Sequence, residues 1–192
     1  MDDARRARWV QAFDPSRYLG LATCPMLFVN GTNDFAYPLG SYRKSFGLVT
    51  APKNLSVKIN LPHGHIWTML EVDTFVDSVL AGGKPLPVFA APKIVGERLT
   101  AALTTTVTVT KVELCCTSDV GPWQKRMWKT LPGELSAGVA SATLPAERPL
   151  SCFLLATDER GLCVSTIHVE IGPLACLVFA EIECEIARIG GY

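Results

Sequence analysis

The sequence predicts an α/β segment followed by an all-β segment, and three observations carry that division. Apolar runs and a helical-period stripe dominate residues 24–80, three prolines interrupt them within 85–92, and Thr- and Val-rich alternation takes over from Leu99. The expected organisation is therefore an α/β portion over 1–84, a proline-rich linker over 85–92, a small antiparallel β-sandwich over 93–173, and a tail over 174–192.

Each element has its own signal. Met1 to Gln11 is charged, with Asp2, Asp3, Arg5, Arg6 and Arg8, and lacks the apolar stretch of a secretory signal, so it reads as an internal start. Cys24 to Gly31 (CPMLFVNG) is a continuous apolar run closed by Asn-Gly, as expected of a strand buried on both faces. Ser41 to Leu48 is compatible with a helix and Asn54 to Leu61 alternates as a strand, a spacing that predicts parallel pairing. From Ile66 to Leu80 the apolar residues recur every three or four positions and stop at Gly82-Gly83, which predicts an amphipathic helix. In the second half, Leu99 to Cys116, Cys152 to Thr157 and Leu162 to Ile171 are strand candidates. After Pro173 the alternation of apolar and acidic residues fits either a strand or a short helix.

Composition sets bounds on function. Of 192 residues, 48% are hydrophobic and 19% charged, a profile that supports packed cores and excludes a disordered chain. Lys+Arg and Asp+Glu both total 18, which leaves no field to gather a phosphate backbone, so nucleic acid is not an expected partner. No apolar run reaches the roughly 18 to 20 residues of a membrane span, and the chain reads as soluble with no membrane partner. The seven cysteines show neither CxxC pairs nor the regular spacing of a disulfide-stapled module, and buried thiols are expected. Adjacent Cys115 and Cys116 should point to opposite faces of one strand.

The stretch with the most chemical content is Val29 to Pro38 (VNGTNDFAYP), followed some thirty positions later by Leu61 to Ile66 (LPHGHI). Each lies just past a predicted strand, and the carboxyl ends of parallel strands form one rim, so Asp34 would meet His63 or His65 there. A carboxylate that accepts from a histidine N–H fixes the tautomer and leaves the second nitrogen as a general base, roles that suit Asp34 and His65. The same Asn-Gly-Thr-Asn-Asp sequence is also ordinary turn chemistry.

These two motifs, with FDPSRYL upstream, resemble the last strand-end loops of α/β-hydrolases near the acetylxylan esterase and dienelactone-hydrolase-like group. WQKRMWKTLPG and TDERGLCVSTIHVEI are similar to the β-sandwich appended to large bacterial members. The resemblance implies a truncated hydrolase sheet, its last two parallel strands and helices, ahead of the sandwich. It implies Asp34 and His65 as acid and base of a Ser-His-Asp triad, with Asn33, Tyr37 and His63 shaping the site. It also implies a carboxylester hydrolase lineage acting on a small ester or acetylated carbohydrate, without a cofactor, whose full-length relatives are secreted or periplasmic.

One departure bears on activity. No G-x-S-x-G occurs in the sequence, so the nucleophile of that triad is absent and the chain reads as an incomplete, hydrolase-derived piece. Gly161 to Ser165 echoes a cysteine elbow but follows the histidine and sits in a predicted strand. A metal site from Asp34, His63 and His65 lacks a third ligand at fixed spacing, and no metal is expected. Trp123 and Trp128 are candidate carbohydrate contacts, with core packing as the plainer role, and His168 reads as a surface or satisfied histidine. The alternative function is a non-catalytic binding or assembly module that uses the sandwich, either as a homo-oligomer or with an upstream hydrolase half, because a truncated parallel sheet leaves edges to cover.

Overall fold

A computed structural model describes residues 2–64 and 69–173 of the chain. The first helix, α1 (Asp3–Phe13), is capped by Asp2, whose carboxylate accepts from the Arg5 N–H at 2.7 Å. None of its residues is buried. Two short helical turns over Pro15–Arg17 and Leu19–Leu21 lead into strand β1 (Met26–Asn33), helix α2 (Leu39–Leu48), strand β2 (Lys53–Pro62) and helix α3 (Leu70–Leu80). Strands β1 and β2 pair in parallel, Phe28 opposite Leu55 and Asn30 opposite Val57.

The remainder is antiparallel. Strands β3 (Val88–Phe89), β4 (Lys93–Val95), β5 (Arg98–Thr104), β8 (Glu134–Ser136) and β9 (Val139–Thr143) form one sheet. Strands β6 (Val109–Thr117), β7 (Lys129–Pro132), β10 (Leu150–Asp158), β11 (Cys163–Ser165) and β12 (Val169–Ile171) form the other. Between the two sheets lies a core of Leu99, Ala101, Leu114, Cys116, Ala140, Cys152, Leu154 and Val164, all with at most 4% of their surface exposed. Small residues on β9, Ala140 and Ala142, share this core with larger ones on β6 and β10 such as Leu114 and Leu154.

A second core lies on the outer face of the same sheet. Cys115, Phe153, Leu155 and Trp128 point away from the sandwich interior and meet Phe28, Leu39, Val49, Leu55 and Val57 from β1, β2 and α2. Strand β10 is thus covered on both faces, which explains why LSCFLLATD is nearly continuous in apolar residues. Polar ties cross the same boundary. Val57 N–H donates to Ser165 Oγ at 3.1 Å, Asn54 Nδ2 to the Pro87 carbonyl at 2.8 Å, and Cys163 N–H to Glu71 Oε1 at 2.8 Å.

The expected fold class therefore needs correction. The chain does not form a truncated α/β-hydrolase sheet with a sandwich appended to it. Among the described residues β1 and β2 are the only parallel pair, every other pairing is antiparallel, and the molecule is mainly a β-sandwich. The physical reason is that two parallel strands cannot bury both faces with helices of their own, so this pair uses the outer face of the sandwich as its floor. The stretch expected as a linker, 85–92, carries Leu86 in the inter-sheet core and the strand β3. Arg160 holds its start, donating to the carbonyls of Lys84 and Pro85 at 2.8 and 3.1 Å.

Candidate functional site

The ends of β1 and β2 build the site. At Gly31 the backbones come so close that a side chain there would overlap the Leu61 carbonyl, and the parallel register shifts between Gly31 and Asn33. Asn60 adopts a positive φ of 58°, a conformation Asn tolerates better than most residues, and its N–H donates to Thr32 Oγ1 at 2.8 Å. This irregularity swings the end of β2 across β1 and delivers His63 to Asp34.

Asp34 is 8% exposed and its carboxylate is fully engaged. Oδ1 accepts from the backbone N–H groups of Ala36 and Tyr37 at 2.8 and 2.9 Å, and His63 Nδ1 lies 3.1 and 3.0 Å from Oδ1 and Oδ2. Burial pushes the carboxyl up, but the Tyr37 N–H, the His63 hydrogen bond and the Ala36 N–H outweigh it and hold Asp34 below the ordinary aspartate value. An ionised carboxylate accepts only, so His63 Nδ1 carries the proton and Nε2 is left for other partners. Phe35 meets the imidazole edge-on at 5.0 Å and Tyr37 tilts against it at 5.8 Å, with both aromatic rings largely exposed.

These residues open onto a cleft of about 720 Å³ between the strand ends and the start of α3, bordered by Asn30, Tyr37, Tyr42, His63, Val72 and Asp73 among others. Tyr42 closes its inner side, donating to the Val29 carbonyl at 2.7 Å, and burial pushes its hydroxyl up to about 12. Among the described residues the lining holds no Ser, Thr or Cys side chain to act as a nucleophile. Asp34 and His63 are also not joined there by a third metal-ligating group. The arrangement can orient a histidine and present its second nitrogen, with aromatic and apolar walls around it.

The other expected site residues fall in different places. His65, expected as the base, lies outside the described residues, and His63 is the histidine that meets Asp34. Asn33 turns away from the cleft as a tether, its Nδ2 donating to the carbonyls of Gln124 and Arg126 at 3.2 and 2.9 Å. Trp128 is 6% exposed and packs on Phe153, which makes it a core residue with no face for a sugar. Trp123 stacks on Trp128 at 6.4 Å and carries the Arg126 guanidinium 3.7 Å above its ring, so it too is occupied. His168 is buried and paired with Glu170 Oε1 at 3.0 Å, and burial, joined by Arg43 and Arg126, holds its imidazole below the usual value. The Gly161–Ser165 echo of an elbow is structural, since Ser165 Oγ accepts from Val57 and Cys163 lies in β11.

Sequence reasoning missed Glu71. It is 3% exposed, accepts from Cys163 N–H and from Lys58 Nζ, and so pins α3 to both β2 and β11. Glu71 sits one helical turn before Phe75 on the face that turns toward the sheets, and that relation was the available signal.

No family model matches the chain, and no curated protein matches it. Among solved structures, the crystal structure of a carbohydrate-binding module family 56 β-1,3-glucan binding domain is similar at 13% identity. The match covers 44% of this chain and 96% of that one with a TM-score of 0.28, below the level at which a shared fold or ligand can be argued. The α/β-hydrolase description is corrected by the sheets alone, which are those of a sandwich.

Proposed function

We propose that this chain is a non-catalytic assembly module that associates with a second copy of itself through α3. The observation that carries it is the surface of that helix. Phe75 packs against the inter-sheet core and Glu71 is buried, yet Val72, Val76, Val79 and Leu80 are 41%, 43%, 44% and 80% exposed. Their spacing of four, three and one residues makes a single stripe, the pattern by which a helix buries itself against a partner.

Charge favours a particular occupant. Helix α3 carries Asp73 and Asp77 beside the stripe and no basic residue. Helix α1 is its complement, with Arg5, Arg6 and Arg8 beside Trp9 and Phe13, which are 51% and 67% exposed and touch at 5.9 Å. Docking α1 of one copy on α3 of the next pairs acid with base and covers both apolar surfaces, a head-to-tail contact. The half-exposed valines contribute about 1 kcal/mol each against an association cost of roughly 4 kcal/mol or more, so the contact also needs the aromatic and charged pairs.

Sedimentation velocity over a concentration series tests this. Wild type should associate with concentration, less so in high salt, and Val76→Asp should remain monomeric, as should Arg5→Glu combined with Arg8→Glu. A wild-type chain that stays monomeric into the high micromolar range would overturn the assembly reading. Cleavage of an activated short-chain ester that is abolished by His63→Ala would overturn the non-catalytic one.

A further inference from the structure

We propose that Cys116 and Cys152 are a latent cross-strand disulfide, a redox-dependent staple between the two central strands β6 and β10. The two residues are direct partners in the antiparallel register of these strands. Both are wholly buried and both face the inter-sheet core.

The kind of pairing decides whether the thiols can meet. In an antiparallel ladder, opposed residues alternate between pairs that exchange backbone hydrogen bonds and pairs that do not. The second kind sits closer, with Cα atoms about 4.5 Å apart against about 5.5 Å. Leu154 sends its N–H to Thr166 Oγ1 and accepts at its carbonyl from Thr166 N–H, so both its backbone groups face β11 and away from β6. On β6, the Val112 carbonyl accepts from Gly133 N–H at the β7 side, away from β10. Residues two apart share a direction, so Cys152 follows Leu154, Cys116 follows Val112, and the pair Cys116–Cys152 is of the close kind. The register runs without a break from Ser151 to Thr157. A separation of about 4.5 Å lies inside the range of roughly 4.4 to 6.8 Å that disulfides require.

The remaining described cysteines are not so placed. Cys115 stands opposite Phe153 on the other face, Cys163 opposite Thr157, and Cys24 is exposed ahead of β1.

Closure takes two steps with a low-molecular-weight disulfide as oxidant. One protein thiolate attacks the reagent's S–S bond, forms a mixed disulfide and releases one small thiol. The second protein thiolate then attacks the mixed disulfide, forms the Cys116–Cys152 bond and releases the other small thiol. The protein loses two electrons and two protons, and the reagent becomes two thiols. In the folded state burial pushes the Cys152 thiol up to about 12 and raises Cys116 as well, and neither sulfur is accessible. Exchange therefore belongs to folding, before the second sheet closes over the pair.

Refolding the full chain from denaturant in a reduced and oxidised glutathione buffer, followed by alkylation, non-reducing digestion and mass spectrometry, tests this. A linked peptide joining Cys116 to Cys152 is expected, lost in Cys116→Ala and in Cys152→Ala and retained in Cys24→Ser and Cys163→Ser. The folded, reduced chain placed in the same buffer should stay unlinked. Near-UV circular dichroism identifies the folded fraction, so that failure to fold is not confused with failure to link. Recovery of both cysteines alkylated in folded protein, linkage of either to a different cysteine, or linkage confined to a misfolded fraction would each overturn the proposal. A thermal midpoint lower in the linked than in the reduced form would overturn the role as a staple.

Discussion

Gly31 lies directly beneath the carbonyl of Leu61, where a Cβ would overlap the Leu61 backbone. The close approach is what lets β2 cross the end of β1 and bring His63 to Asp34. Gly31→Ala is therefore expected to destabilise the chain by about 1–3 kcal/mol, because the obstacle is backbone and cannot rotate away. Chemical denaturation gives the stability, and loss of the upfield or downfield shift of the His63 ring protons in NMR spectra would report the displaced site. Wild-type stability in this variant would show that the crossing is not closed in solution.

Acid should weaken the fold through Asp34. Its folded carboxyl is held below the ordinary value, so its contribution is fully present above the unfolded value of about 3.9 and disappears as pH falls through the folded one. Asp34→Asn removes the charge-assisted bonds to Ala36, Tyr37 and His63 and is expected to cost about 1–3 kcal/mol at neutral pH. The difference between variant and wild type should shrink below pH 4 in denaturant titrations. A difference that is constant down to pH 2 would contradict the assignment.

Glu71 supplies a second measurable tie. Glu71→Ala leaves the Cys163 N–H and the half-buried Lys58 ammonium without their acceptor, and a loss of about 1–3 kcal/mol is expected. Lys58→Met should cost less, since Glu71 keeps its bond to Cys163 and the methionine fills the same space. Reversal of that order in thermal melts would show that the ammonium, and not the backbone amide, is what Glu71 serves.

Phe153 is wholly buried in the second core, where it packs on Trp128 at 5.5 Å. Phe153→Ala is expected to cost about 3–5 kcal/mol by the loss of buried surface and the cavity left behind. Tryptophan fluorescence and far-UV circular dichroism should still report one coincident transition, because the residue belongs to a strand shared by both cores. Two separated transitions would indicate that the layers unfold independently.

Much of the first half was legible. The continuous apolar run before Asn30-Gly31 and the alternation of Asn54 to Leu61 locate β1 and β2, and their spacing accounts for the parallel register. The meeting of His63 with Asp34 was not legible, because it depends on the irregularity at Asn60, where the chain takes a positive φ, and His65 lies outside the described residues. The fold class was missed for a related reason. Periodicity in Cys115, Phe153 and Leu155 shows only that a side of the strand is apolar, and does not say which element covers it. The unbroken apolar run of β10 was the signal that both sides are covered. The tryptophans illustrate the same limit, since composition cannot tell a stacking platform from a ring already stacked on its neighbour and on Arg126.

Strand β10, sealed from above and below, has a kinetic consequence. Its amides can reach solvent deuterium only when both coverings are gone, so they should be among the slowest in the molecule to exchange, and at the rate of whole-chain opening. Amides of α1, which rests on nothing buried, should exchange fastest by comparison, and the interval between the two would measure how far the exposed helices move apart from the strand that holds the rest together.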